Sequence, residues 1–231
     1  MTLPTPLRGQ IRAVAQAASA TELLQSTQAL AGRLAEVADA PPEASELEDA
    51  IATLVQVLGF NNPGAAVAAV DGLIALGSPA VEPLLSRLDP RNYGARAWAV
   101  RALAGIGDVR GLELLEEALA TDVGPSVRRA AACGLGNLRL DPLSEAERPA
   151  IRSRSLQALL AGREDGEWVV RYAVAVGLEA LVLGMEPLPH EQDQALEVLE
   201  ALAEAEREEA PVVRLRASMA LERLRNSPTS P

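Results

Sequence analysis

VRRAAACGLGNL, residues 127–138, is the fullest of five copies of one pattern in this chain. When the copies are aligned on their last apolar residue, they are spaced by 30, 32, 43 and 43 residues. That residue is in turn Leu76, Ile106, Leu138, Leu181 and Leu224. A helix-length pattern repeated at such a period is typical of stacked helical hairpins. We therefore predict an all-α solenoid, a right-handed superhelix of hairpins that bury a common core and leave one long face open.

Helix stop signals divide the chain further. Residues 1–43 are predicted to form an N-terminal helical pair and a linker, with one helix from about Leu7 to Ala18 and a second one capped by Thr21. Residues 44–225 are predicted to form five repeats, and residues 226–231 a disordered tail. Breakers lie between the predicted helices, among them Pro41-Pro42, Asn62-Pro63-Gly64, Asp89-Pro90, Gly124-Pro125 and Pro211.

Composition excludes several classes of protein. No apolar run approaches the ~20 residues that span a bilayer, so no membrane span is expected. The net charge of −11 argues against a nucleic-acid partner, which attracts basic surfaces. Because Cys133 and His190 are the only cysteine and histidine, they cannot supply a zinc cage, and we expect no metal site. A lone cysteine also predicts a reducing, cytosolic compartment.

All 21 basic residues are arginines, which excludes Schiff-base chemistry and a lysine base within this chain. Four arginines recur at one position of the repeats: Arg96, Arg128, Arg171 and Arg214. We predict that they tie neighbouring hairpins together through acidic loop residues such as Asp108.

Helical geometry predicts which side chains reach the open face. In the second repeat Ala95, Ala99, Ala102, Leu103 and Ile106 share one side, which is the core side. Carried through all repeats, the opposite side gives a predicted lining of Val67, Asp71, Ile74, Tyr93, Ala97, Arg101, Ala104, Asp108, Arg129, Cys133, Gly136, Trp168, Tyr172, Val176, Glu179, Leu215, Met219 and Glu222, with Trp98 at its edge.

This lining is rich in aromatic residues, since Tyr93, Trp168 and Tyr172 are three of only five in the chain. Asp71 and Arg101 hold equivalent positions in successive repeats, as does Cys133. An aromatic groove with a few placed charges suits a flat, conjugated, partly ionised ligand. An edge of the core and a protein-docking patch are the alternatives.

Three segments carry a family resemblance: FNNPGAAVAAVDGLIALG (60–77), NYGARAWAVRALAGIGD (92–108) and SVRRAAACGLGNL (126–138). The last has the form of the second helix of a HEAT repeat. Together they resemble the E/F-type phycobilin lyases, and within them the F (beta) subunit of the phycocyanin alpha-subunit phycocyanobilin lyase. The resemblance covers about residues 21–138, and beyond it the sequence is similar to HEAT repeats in general.

The resemblance implies an activity. An E-type (alpha) and an F-type subunit form a heterodimer that attaches phycocyanobilin, through a thioether bond, to a cysteine of the phycocyanin alpha subunit. The bilin is the substrate, so no cofactor is implied, and the location implied is cytoplasmic, near the phycobilisome and the thylakoid surface. The alternatives are a phycoerythrobilin lyase or lyase-isomerase subunit, and a non-catalytic HEAT-repeat assembly chaperone for phycobiliproteins.

The same resemblance suggests roles for the lining residues. Asp71 is the candidate catalytic carboxylate, accepting from pyrrole N–H groups. Arg101 and Arg129 are candidates for binding the propionates, and Tyr93 and Trp98 for stacking on a ring. Two further candidate ligand-binding residues are Trp168 and Tyr172. Cys133 is expected to fill a helix contact rather than to carry a transient bilin thioether.

Overall fold

The computed structural model describes residues 7–36, 43–87 and 91–226, and every regular element in these ranges is helical. The α-helices are α1 (Leu7–Ala15), α2 (Ala20–Glu36), α3 (Ala44–Val57), α4 (Pro63–Leu76), α5 (Val81–Ser86), α6 (Tyr93–Ile106), α7 (Leu112–Thr121), α8 (Pro125–Gly136), α9 (Arg148–Ala161), α10 (Trp168–Gly184), α11 (Pro189–Ala203) and α12 (Pro211–Asn226). The predicted all-α class is confirmed.

The chain divides into two compact units, Met1–Ile106 and Gly107–Pro231. In the first unit α2, α4 and α6 pack side by side, and α1, α3 and α5 cover them. In the second unit α8, α10 and α12 form the equivalent row, with α7, α9 and α11 as the covering layer. Each row therefore consists of the second helices of successive hairpins.

The apolar residues that define the repeat form the core. Ile106, Leu138 and Leu181 are buried, as predicted from their alignment. The predicted core side of α6 is also confirmed, since Ala95, Ala99, Ala102, Leu103 and Ile106 are all buried. The repeat pattern thus marks the side of each second helix that packs against its neighbours.

The start of the chain differs from the sequence prediction in two details. Helix α1 ends at Ala15 rather than at Ala18. The cap of α2 is Ser19 and not Thr21, because the Ser19 hydroxyl accepts a hydrogen bond from the backbone N–H of Glu22 (3.1 Å). The Glu22 carboxylate in turn accepts from the N–H of Ala18 (2.8 Å), the residue before the cap, so both side chains help to fix the start of α2.

Two residues of the predicted open-face lining are buried. Gly136 lies against the backbone of Gly177, so that part of the surface is a helix contact. Glu179 is enclosed by an ion pair with Arg216 and a second one with Arg223 (3.2 Å). The register of a single helix predicts which side chains share a face, but it does not reveal burial of that face by neighbouring helices.

Some predictions concern residues outside the described ranges. The breakers Pro41-Pro42 and Asp89-Pro90 and the tail residues 227–231 lie outside the described residues. Asn226, predicted to begin the tail, is the last residue of α12. The division into residues 1–43, 44–225 and 226–231 otherwise stays a prediction.

In the described part of the chain no helix is both long and apolar enough to cross a membrane. Within the same ranges, no group of three histidine, cysteine or acidic side chains is placed to hold a metal ion.

Helices α8 and α10 touch through glycine. A Cβ atom added to Gly177 would lie 2.5 Å from the carbonyl oxygen of Ala132, and one added to Gly136 would lie 2.2 Å from the carbonyl oxygen of Gly177. Both obstacles are backbone atoms, which cannot rotate away. The two helices therefore need glycine at this contact.

We predict that Gly177→Ala lowers the free energy of unfolding by about 2–3 kcal/mol, because the helices must move apart. Gly184→Ala on the same helix is the matched control, since its Cβ would meet open space, and we expect it to be neutral or stabilising by up to about 1 kcal/mol. Urea denaturation of both variants tests this, and equal stabilities would contradict the proposed helix contact.

Candidate functional site

The second unit contains a pocket of about 740 Å³ where α8, α10 and α12 begin. It is larger than the pocket of about 410 Å³ that lies against α9 and α11. Its walls are mostly apolar, with one guanidinium, and are formed by Pro125, Ser126, Arg129, Trp168, Val169, Tyr172 and Val212. A pocket of this size and polarity is typical of a binding site for a small organic molecule.

Three residues predicted from the sequence meet in this pocket. Trp168 is the first residue of α10 and is 47% exposed, which leaves a ring face open. Tyr172 follows one helical turn later, and Arg129 reaches in from α8. Two aromatic rings and one cation can together hold a conjugated molecule that carries a carboxylate.

The other four predicted site residues belong to the first unit. Asp71 lies on α4 with its side chain exposed, and Tyr93 begins α6 with 48% of its surface exposed. On the same helix the Arg101 guanidinium lies over the Trp98 ring, 5.0 Å from the ring centre. This cation–π contact holds the guanidinium over the ring, and the exposed side chain of Arg101 is accessible to an anion.

Sequence reasoning missed four pocket residues: Pro125, Ser126, Val169 and Val212. Each lies in the first or second position of its helix, ahead of the repeated stretch that guided the alignment. The signal was available, because Ser126, Val169 and Val212 each stand two residues before a recurring arginine. Extending the alignment by two residues would have identified all four.

Two of the four recurring arginines, Arg128 and Arg171, make the predicted contacts between hairpins, whereas Arg214 donates to the backbone carbonyls of Glu208 and Glu209. Arg128 of α8 binds both carboxylate oxygens of Asp165, which precedes α10 (Nε–Oδ2 2.7 Å, Nη2–Oδ1 2.9 Å). Arg171 of α10 binds Glu208, which precedes α12, in the same way (2.6 and 2.7 Å). Each pair connects one second helix to the start of the next, and we call these two pairs the ionic rungs.

Each ionic rung is extended by backbone contacts. Arg128 also donates to the carbonyl of Asp122 (2.8 Å), and Arg171 to that of Asp165 (2.7 Å). The carboxylates accept from the backbone N–H two residues on, Asp165 from Glu167 (2.9 Å) and Glu208 from Ala210 (2.8 Å). The acidic residue therefore shapes its own loop and holds the neighbouring helix at the same time.

In the first unit, asparagines at the N-caps of the second helices connect neighbouring hairpins. Asn62 caps α4 through the N–H of Ala65 (3.1 Å) and donates to the carbonyl of Ala20 at the start of α2 (2.8 Å). Asn92 caps α6 through Ala95 (3.0 Å) and donates to the carbonyl of Gly59 (3.2 Å). These two neutral contacts, the amide rungs, explain the asparagines of NNPG and NYGAR in physical terms.

Charge pairing lowers the pKa of both rung carboxyls. Burial raises the pKa of Asp165, but hydrogen bonds from Arg128 and from the N–H of Glu167 outweigh it, so the pKa lies below its ordinary value. For Glu208 the hydrogen bond from Arg171 lowers the pKa and outweighs burial. Both carboxylates are therefore ionised at neutral pH.

Cys133 does not have the properties of a nucleophile. Its side chain is half-buried, and burial raises the pKa of the thiol despite the nearby cations Arg129 and Arg216. The thiol is consequently protonated at neutral pH, whereas the thiolate is the reactive form. This agrees with a packing role.

A model of the HEAT repeats family matches residues 51–136 and 81–179. The bilin biosynthesis protein RpcF of Synechococcus sp. WH8020 is 50% identical over 179 residues, which are 78% of this chain and 83% of that protein. The phycocyanin alpha phycocyanobilin lyase CpcF of Synechocystis sp. PCC 6803 is 49% identical over 171 residues, 74% of either chain.

A solved structure is also similar to this chain. One chain of the complex of CpcE and CpcF of phycocyanin lyase from Nostoc sp. PCC7120 matches with a TM-score of 0.67 and 44% identity. The match covers 74% of this chain and 98% of that chain.

The ionic rungs predict a dependence of stability on pH. A carboxyl whose pKa is lowered by folding stabilises the protein fully above its unfolded pKa of about 4, and this contribution is lost as the pH falls through the lower, folded value. We expect Glu208→Gln to lower the free energy of unfolding by about 2 kcal/mol at pH 7, and by much less at pH 3. Denaturant titrations at both pH values measure the difference.

The exposed neighbour Glu209→Gln serves as the control, since only its backbone carbonyl contacts Arg214. If Glu208→Gln and Glu209→Gln had the same effect at pH 7, the ionic rung would not contribute to stability.

Proposed function

Because this chain belongs to the family of F (beta) subunits of phycocyanobilin lyases, we infer that it is one subunit of a heterodimer that attaches phycocyanobilin by a thioether bond to a cysteine of the phycocyanin alpha subunit. The observation that carries this function is the 49% identity to the phycocyanin alpha phycocyanobilin lyase CpcF along three quarters of both chains. The match to a chain of the CpcE–CpcF complex supports an E-type partner.

The reaction is an addition that needs no oxidant. The sulfur of the acceptor cysteine bonds to a carbon of the ethylidene group on ring A of the bilin, and the thiol proton is delivered to the bilin as the double bond is lost. The attacking cysteine belongs to phycocyanin. What this chain must contribute is a fixed conformation of a flexible tetrapyrrole, which lowers the entropic cost of the attack.

We propose that the pocket of the second unit holds part of the bilin. Trp168 and Tyr172 offer ring faces for stacking, and Arg129 offers a two-pronged donor for a propionate. Its volume of about 740 Å³ is within the range of pockets that enclose most of a drug-sized molecule.

The first unit has a second set of candidate groups. Asp71 would accept from the pyrrole N–H groups and favour a protonated, more electrophilic bilin. Arg101, held against Trp98, would bind a propionate, and Tyr93 would stack on a ring. A cytoplasmic location near the phycobilisome and the thylakoid surface completes the proposal, since the acceptor is phycocyanin.

Reconstitution tests the function. We predict that co-expression of this chain with an E-type subunit, the phycocyanin alpha subunit and a phycocyanobilin source gives covalently coloured phycocyanin, visible by zinc-enhanced fluorescence in a denaturing gel. Omitting this chain should abolish the colour. Attachment that is equal with and without it would overturn the proposed function, and reduced attachment by Asp71→Asn would support the role given to that carboxylate.

The role of Arg129 can be tested without the partner. We predict that Arg129→Gln weakens binding of free phycocyanobilin to the isolated chain by about tenfold, because a charge-assisted hydrogen bond is lost. The dimethyl ester of the bilin lacks the propionate charges, so both proteins should bind it alike. The measurement is a titration of visible absorption.

Arg163→Gln is the control for this experiment, because Arg163 is exposed and lies outside the pocket. An equal loss of affinity for the ester and for the free acid would show that Arg129 does not bind a propionate.

A further inference from the structure

We propose that Asp165 is a positioning residue for the bilin, because its ionic rung with Arg128 sets the distance between the two walls of the pocket in the second unit. The proposal rests on the proposed function, which places the tetrapyrrole in this pocket. No step of the reaction is assigned to Asp165 itself.

The contacts of Asp165 all hold the start of α10. Both of its carboxylate oxygens accept from Arg128 of α8 (2.7 and 2.9 Å), and one also accepts from the N–H of Glu167 (2.9 Å). Glu167 is the residue immediately before α10, and Trp168 is the first residue of that helix. The carboxylate therefore fixes the point at which the chain enters α10.

Each member of the ionic rung is close in sequence to a wall of the pocket. Arg128 immediately precedes Arg129, the cationic wall on α8. Asp165 stands three residues before Trp168, the aromatic wall on α10. The ion pair between Arg128 and Asp165 thus brings the two walls to a defined separation.

Among the described residues, no other side-chain hydrogen bond of Arg128 replaces this connection. Its remaining partner is the carbonyl of Asp122 (2.8 Å), which belongs to the loop that precedes α8 itself. Without the carboxylate of Asp165, Arg128 would still be anchored to its own hairpin but not to α10. Arg128 and Asp165 are both largely enclosed, with side chains 16% and 11% exposed. Water therefore does not readily replace the ion pair when one partner is removed.

A structural pair elsewhere in the same unit provides a matched control. Arg152 of α9 and Glu191 of α11 form an ion pair (2.8 Å) whose side chains are 8% and 6% exposed. Neither contributes to the pocket. Removing either carboxylate should destabilise the unit, but only Asp165 is expected to alter the bilin site.

The experiment compares Asp165→Asn with Glu191→Gln in the assembled heterodimer. We expect Asp165→Asn to raise the KM for phycocyanobilin about tenfold, since small misplacements of binding groups are costly, while Glu191→Gln leaves KM unchanged at a similar loss of Tm. Circular dichroism of the bilin bound to the isolated chain should change with Asp165→Asn and not with Glu191→Gln.

Two more variants keep the test decisive if Asp165→Asn folds poorly. Arg128→Lys retains the charge but loses the two-pronged geometry, so it should raise KM in the same direction. Asp165→Glu should restore much of the wild-type behaviour, because glutamate forms the second ionic rung at Glu208.

The outcomes separate the two proposals. A wild-type heterodimer that attaches no bilin would overturn the proposed function. Active wild type, with KM and bilin spectrum identical in Asp165→Asn and Glu191→Gln, would overturn the positioning role alone. If the wild-type chain gave no induced dichroism with phycocyanobilin and the heterodimer showed no KM effect, the pocket would not be the bilin site and the role of Asp165 would be refuted.

Discussion

The side chain that reaches from one hairpin to the start of the next is the constraint on which this structure depends. A helical hairpin cannot bury its apolar side alone, so repeats need neighbours, and apolar packing by itself does not fix where one helix begins relative to the next. Two ionic rungs, Arg128–Asp165 and Arg171–Glu208, and two amide rungs at Asn62 and Asn92 supply that directional information. They all lie where the second helices begin, which is also where the pocket of the second unit opens.

The fold could be predicted from the sequence because it depends on a local, repeated signal. The apolar residues at the end of four copies, Leu138 and Leu181 among them, are buried in the structure, and Leu76 of the first copy is half-buried. The family was likewise recognisable, since NNPG and NYGAR include the asparagines that cap α4 and α6. Capping by Ser19 rather than Thr21 was missed, because both residues are acceptable caps and only the position of Glu22 decides between them.

The site could be predicted only in part, for a physical reason. Helical register correctly placed Arg129, Trp168 and Tyr172 on an open surface, and the structure shows that they share a pocket. Register failed for Glu179, because its burial depends on Arg216 and Arg223 of another helix. Val212 was missed for another reason, because the aligned stretch began one residue after it, at Val213. A contact between helices is readable from sequence where its residue recurs, as at Arg128 and Arg171, but not where the partners do not recur, as around Glu179.

The contact between Gly177 of α10 and the backbone of α8 has a mechanical consequence. Trp168 stands nine residues before Gly177, which is about 13 Å along a helix. The glycine contact is the point about which α10 could rotate, and the pocket lies at the N-terminal end of this helix, away from that point. A small rotation of α10 about this point would change the width of the pocket mouth, and the Arg128–Asp165 ionic rung opposes that rotation.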